Sequence, residues 1–199
     1  ESYVIAIIVD SLFIIDRESG AFYALGTLWD TVDKIKQIRV IMDLTEAKLY
    51  LLTNDVAPQV LESFGPIVTW TLTAVSFTNP PAEWVAGNYP TAACYAEGRL
   101  WFAGCPDTPS TFWGSKSDAY LDFTPGSLDD DAVIGVINRR GRILWMQGSR
   151  SLVLGTENAE YTVTSEGGVI TPGDKKIRRQ SSHGSYNTDA IEVGTEIIY

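Results

Sequence analysis

Ala92-Ala93-Cys94-Tyr95-Ala96-Glu97-Gly98-Arg99-Leu100-Trp101-Phe102 is an apolar stretch, a short polar turn at Glu97-Gly98, then Leu followed by further apolar residues. Period-two segments on either side of such a turn are the signature of a β-hairpin. The same phrase occurs four more times. Residues 5–9 turn at Asp10-Ser11 into Leu12-Phe13-Ile14-Ile15, and residues 38–42 turn through Thr45-Glu46-Ala47-Lys48 into Leu49-Tyr50-Leu51-Leu52. Residues 143–146 turn through Gly148-Ser149-Arg150 into Leu152-Val153-Leu154, and Ile191-Glu192-Val193 turns at Gly194-Thr195-Glu196 into Ile197-Ile198.

The leading Leu or Ile of each second strand falls at 12, 49, 100, 152 and 197, giving spacings of 37, 51, 52 and 45 residues. A four-stranded propeller blade occupies ~40 to 50 residues. The expected fold is therefore all-β, with β-propeller-like repeats of antiparallel hairpins in an open or incomplete arrangement. A β-sandwich, which also alternates hairpins, is the competing architecture. Third strands are expected at 21–25, 58–61, 111–113 and 160–164, and helix only as short turns at 117–123 and 34–38. Residues 1–77 form a first repeat region of two blade-like units. Residues 78–90, dense in Pro and Gly, read as a connector, and residues 91–199 as a second repeat region of the same propeller-like domain. The chain opens and closes within apolar runs, as expected of a piece of a longer polypeptide.

With 199 residues, 45% of them hydrophobic, the chain can build a substantial core. Its 17 glycines, 9 prolines and 11% aromatic residues suit short strands joined by turns. The 25 acids against 15 bases give a net charge of -10, opposite to that of a general nucleic-acid coat. The longest apolar run, residues 4–9, falls short of the ~20 residues of a spanning helix, and no membrane partner is expected. Two cysteines and one histidine provide neither a zinc cluster nor a disulfide framework. Phosphate-cradling GxxxxGK[ST] and GxGxxG motifs are missing. His183, in Ser181-Ser182-His183-Gly184-Ser185, has no nucleophile elbow beside it and reads as a polar turn. No catalytic, cofactor-binding or metal site is expected, and the chain is read as a non-enzyme.

Charge is segregated. Asp107, Asp118, Asp122, Asp129, Asp130 and Asp131 face a single base, Lys116, over residues 101–138. The bases Arg139, Arg140, Arg142, Arg150, Lys175, Lys176, Arg178 and Arg179 outnumber the acids over residues 139–179. Asp129-Asp130-Asp131 invites a calcium reading, but calcium loops alternate their ligands, so a solvated acidic turn fits better. Of the bases, Arg139, Arg140, Arg142, Lys175, Lys176, Arg178 and Arg179 are candidate contacts to phosphate or to an acidic neighbouring subunit. A strand edge protected by charge is the plainer alternative. Trp101, Trp113 and Trp145 lie in apolar strands and are expected in the core.

Several phrases occur in a fixed order: Arg99-Leu100-Trp101-Phe102-Ala103-Gly104, Pro109-Ser110-Thr111-Phe112-Trp113-Gly114-Ser115, Tyr120-Leu121-Asp122-Phe123 and Asp129-Asp130-Asp131-Ala132. They continue with Leu152-Val153-Leu154-Gly155-Thr156 and Glu160-Tyr161-Thr162-Val163, then Ile170-Thr171-Pro172, then Gln180-Ser181-Ser182-His183-Gly184-Ser185. In this order the chain resembles the tail nozzle proteins of short-tailed phages, the tail tubular protein B family, and their prophage relatives. Upstream, Ala57-Pro58-Gln59-Val60-Leu61, Trp70-Thr71-Leu72 and Val75-Ser76-Phe77 are similar to the strands that precede these phrases in that family. The segment between Phe77 and Thr91 is shorter than the insertion many relatives carry.

The resemblance implies a virion structural component, made in the bacterial host cytoplasm or encoded by a prophage, with a β-propeller-like domain. Its copies, typically six, would form a ring below the portal and adaptor, with connector and tail proteins as partners and duplex DNA in transient passage. The basic segment would then meet acidic neighbours such as Asp129, Asp130 and Asp131 of another copy. Two other functions compete: a glycan- or receptor-binding tail module, which needs an acid and aromatic cluster in one pocket, and a DNA-binding module using the 139–179 bases.

Overall fold

The computed structural model describes residues 2–43, 48–64, 69–138, 141–149, 151–193 and 196–198. It divides into two compact units, Glu1–Val75 and Ser76–Tyr199.

In the first unit, β1 (Tyr3–Ile8), β2 (Ser11–Asp16) and β3 (Phe22–Gly26) form an antiparallel meander. Alternate residues of a strand point to opposite faces. Tyr3, Ile5, Ile7, Leu12, Ile14, Tyr23 and Leu25 therefore face one way, into a core that also holds Trp29, Leu51 and Leu61. The intervening residues are also apolar, and the registers Val4↔Ile15↔Phe22 and Ala6↔Phe13↔Ala24 align them on the outer face. Helix α1 (Val32–Lys36) begins at Thr31, whose hydroxyl accepts the Lys34 N–H at 3.3 Å. Strands β4 (Arg39–Asp43), β5 (Lys48–Leu52), β6 (Gln59–Phe64) and β7 (Thr69–Ala74) follow as a four-stranded antiparallel sheet in sequence order. Leu49, Leu61 and Leu72, in cross-strand register, join the same core.

The second unit holds two four-stranded antiparallel sheets. The first has the order β11 (Val133–Val136), β10 (Thr111–Gly114), β9 (Arg99–Ala103), β8 (Ala92–Ala96). The second runs β12 (Ile143–Gly148), β13 (Leu152–Thr156), β14 (Glu160–Thr164), β15 (Lys176–Arg179), and a hairpin of β16 (Ile191–Val193) and β17 (Glu196–Ile198) follows. Glu97 and Gly98 join β8 to β9 with φ of 50° and 69°. Both lie in the left-handed region that a tight two-residue hairpin turn requires, and the Gly supplies it without strain. One core cluster draws Cys94, Trp101, Phe112 and Val133 from the first sheet and Ile143, Met146, Leu154 and Val163 from the second. Residues 78–90 belong to this unit. Their Trp84, 8% exposed, meets Phe77, Phe102 and Phe123 edge-on at ring-centroid distances of 5.3, 5.1 and 5.0 Å.

The strand pairs of all five expected hairpins are present as β1–β2, β4–β5, β8–β9, β12–β13 and β16–β17, with Leu12, Leu49, Leu100, Leu152 and Ile197 in their second strands, while the expected turn residues 45–47, 150 and 194–195 lie outside the described residues. The all-β expectation holds. The propeller does not: among the described residues the hairpins belong to five separate antiparallel sheets, none closed into a barrel or curled as blades are. Repeat spacing reports strand pairing within each sheet, and a meander of four strands consumes the same chain length whether or not it joins a ring of blades. The propeller-like domain implied by the tail-nozzle resemblance is corrected with it, and so the resemblance gains nothing from the fold. The helical turn expected at 117–123 is also absent, since Asp118 sits at φ 55° and Lys116 bridges Ala119 in antiparallel fashion. The other short helix forms as α1. Trp101, Trp113 and Trp145 are buried, as expected.

Candidate functional site

The acidic turn is built around a buried arginine. Arg99 opens β9 and is fully buried. Its Nη1 donates to the carbonyls of Ser115 at 2.5 Å and Asp131 at 2.6 Å, and its Nη2 to the carbonyl of Asp129 at 2.5 Å. A guanidinium presents several donors in a fixed fork, so one side chain can satisfy carbonyls that converge from a loop and a strand end. Burial draws the Arg99 pKa below its usual value, and the charges of Asp130, Glu97 and Asp131 oppose that shift.

The three aspartates divide in role. Asp131 is buried; its carboxylate accepts the Leu128 N–H at 2.9 Å and pairs with Lys116 Nζ at 3.1 Å. These contacts, the Leu128 N–H first, hold the Asp131 carboxyl below its ordinary value. Asp129 and Asp130 are exposed and line an open cleft of about 460 Å³ with Ser117, Gly167, Val169, Thr171 and Asp174. Asp174 is already committed, accepting the N–H groups of Glu166 and Gly167 at 2.8 and 2.9 Å. Among the described residues no three His, Cys, Asp or Glu side chains are grouped to hold a metal ion.

Most of the described basic candidates are each engaged by a different local partner. Arg139 and Arg140 lie outside the described residues. Arg142, half-buried, donates Nε and Nη2 to the Gly104 carbonyl at 3.1 and 2.8 Å and Nη2 to the Thr91 hydroxyl at 3.0 Å, tying the start of β12 to the loops flanking β8 and β9. Lys175 donates to the Pro172 carbonyl at 2.6 Å, Lys176 pairs with Glu166, and Arg179 Nε donates to the Ser181 carbonyl at 2.8 Å. On β15, an edge strand, Ile177 packs on the core while Lys176 and Arg178 point the other way. Arg178 is exposed, paired through its backbone with Thr162 of β14, and its side chain makes no hydrogen bond or ion pair with any described residue.

A second cavity, of about 360 Å³, brings Asn79 and Glu83 together with Trp113, Phe123, Pro81 and Pro125. This is the acid-and-aromatic convergence that sugar recognition calls for. The rings, however, are 3% and 5% exposed, so neither Trp113 nor Phe123 offers an open face on which a pyranose could stack. His183 is exposed, its N–H bonded to the Ser181 hydroxyl at 3.2 Å.

Sequence reading missed Arg99, whose signal was a cation at the head of an otherwise apolar strand, and the Asn79/Glu83 cavity, which has no local signal. No protein-family model matches the chain, and no curated protein is significantly similar to it.

Proposed function

We propose that this chain is a structural, non-enzymatic part of a short-tailed phage tail nozzle, acting in the virion as one copy of a ring that conducts duplex DNA during ejection. The observation that carries the reading is the order of the phrases from Arg99 to Ser185. Five of them fall on β9 with its buried Arg99, β10, the Asp129–131 turn, β13 and β14, and the phrases at 120–123, 170–172 and 180–185 lie in segments between strands. The reading does not draw on propeller geometry, which the sheets lack. The net charge of -10 suits a conduit, because a wall that held phosphates tightly would slow the duplex, whereas like-charge repulsion leaves it mobile. Of the candidate basic residues that are described, Arg142, Lys175, Lys176, Arg178 and Arg179, Arg178 is the one whose side chain is left open to an acidic neighbour such as Asp129 or Asp130 of the next copy.

Electron microscopy of the parent polypeptide, alone and with the phage connector proteins, tests this. A six-fold ring with a channel ~20 to 40 Å wide, able to pass a duplex whose major groove is ~12 Å across, supports it. A parent chain that stays monomeric and never joins the connector overturns it.

A further inference from the structure

We propose that the outer face of the β1–β2–β3 sheet is a self-association surface on which a second copy of this chain packs, sheet against sheet. Two cross-strand rows, Val4–Ile15–Phe22 and Ala6–Phe13–Ala24, make up most of it. Val4 is 46%, Ile15 38% and Phe22 60% exposed, and the Phe13 and Phe22 rings stack at 5.2 Å. No charged residue stands in either row. The opposite face of the same strands is already buried in the core of its unit, so this sheet is apolar on both sides. An antiparallel sheet with one face in water ordinarily alternates apolar with polar residues.

Area and charge together select the occupant. The exposed surface of these side chains is on the order of 500 Å², near the upper limit of what a monomer leaves open. Two copies paired through it bury about 1,000 Å², the threshold for a specific interface, so the pair is weak and depends on concentration. Each copy carries a net charge of -10, which opposes approach in general. An uncharged sheet face is where two such copies meet at least electrostatic cost, and aligned sheets ~10 Å apart interdigitate their side chains as in a sandwich. The proposal does not rest on the tail-nozzle reading, because a six-fold ring can form or fail without this contact.

Analytical ultracentrifugation of the 199-residue chain from about 1 to 500 µM is the test. We expect reversible dimerisation in the micromolar range. Phe22→Glu and Ile15→Lys should each weaken it about tenfold or more, with the circular dichroism spectrum and melting curve kept close to those of the parent chain. Leu128→Glu, at a position 66% exposed in the other unit, should leave association unchanged. A chain that is monomeric throughout the range overturns the proposal, as does association indifferent to both charged variants. Monomers that instead float with phosphatidylcholine vesicles would assign the face to lipid and equally overturn it.

Discussion

Trp101 lies over Gly114: the two residues face each other across β9 and β10, and a Cβ on Gly114 would stand 2.7 Å from the indole ring. Trp145 over Gly155 and Phe112 over Gly135 repeat the relationship, each in cross-strand register. The ring occupies the volume that the glycine leaves, so a bulky residue is buried without prising the strands apart. Gly114→Ala and Gly155→Ala should each cost about 1–3 kcal/mol by overpacking. Gly173→Ala, with nothing within 4 Å of the added methyl group, should stay within about 0.5 kcal/mol. Urea denaturation separates the two outcomes.

Arg99→Met keeps the aliphatic stem but leaves the carbonyls of Ser115, Asp129 and Asp131 without their donor. A loss of about 3 kcal/mol is expected, since buried acceptors of a charged donor are costly to strand. Native-state hydrogen exchange should rise first in residues 115–132.

Arg142 and Arg178 make a contrasting pair. Arg142→Ala removes bonds to Gly104 and Thr91 and should destabilise by about 1–2 kcal/mol. Arg178→Ala should leave the melting temperature within error, and its effect, if the nozzle reading holds, should appear in assembly with the connector.

Acid should unfold the chain through carboxylates held low in the folded state. Asp131 is lowered by the Leu128 N–H and then Lys116, and Asp122 by the Thr124 hydroxyl and N–H, both from an ordinary 3.8. As pH falls the unfolded chain takes up protons first, so their contribution is complete above the unfolded range near ~4 and disappears as pH drops through the lower folded values. The urea midpoint should hold between about pH 5 and 7 and fall below about pH 4. Asp131→Asn should flatten that acid limb.

Burial pushes the thiols of Cys94 and Cys105 up, the latter to about 12, chiefly by desolvation. The thiolate is the reactive form. Neither should react with a thiol reagent at neutral pH until the chain unfolds, so labelling kinetics should track urea-induced unfolding.

The hairpins were legible because each is written locally, in alternation and a turn, and the leading Leu or Ile of each phrase marked its second strand. The burial of Trp101, Trp113 and Trp145 followed from the same pattern. How the sheets face one another was not legible, because that depends on side-chain volumes brought together from distant segments, such as Trp101 and Met146 in one core. The Asp129–131 turn was read from its carboxylates, whereas Arg99 holds it by its carbonyls, which every residue possesses. Trp84 sits among prolines and glycines that signal a loop, and its aromatic partners come from β9 and from residues 77 and 123. The positive φ of Asp118, which removed the expected helical turn, has no mark in an aspartate beyond tolerance of it.

Every sheet among the described residues pairs strands that are consecutive in the chain. Short loops therefore close most of the ladders, and the entropy lost in closing them grows only slowly with length. All-β chains generally fold slowly because distant segments must meet before any contact is rewarded. Here each meander can zip from its own hairpin as synthesis proceeds, and the slow step shifts to the docking of finished sheets.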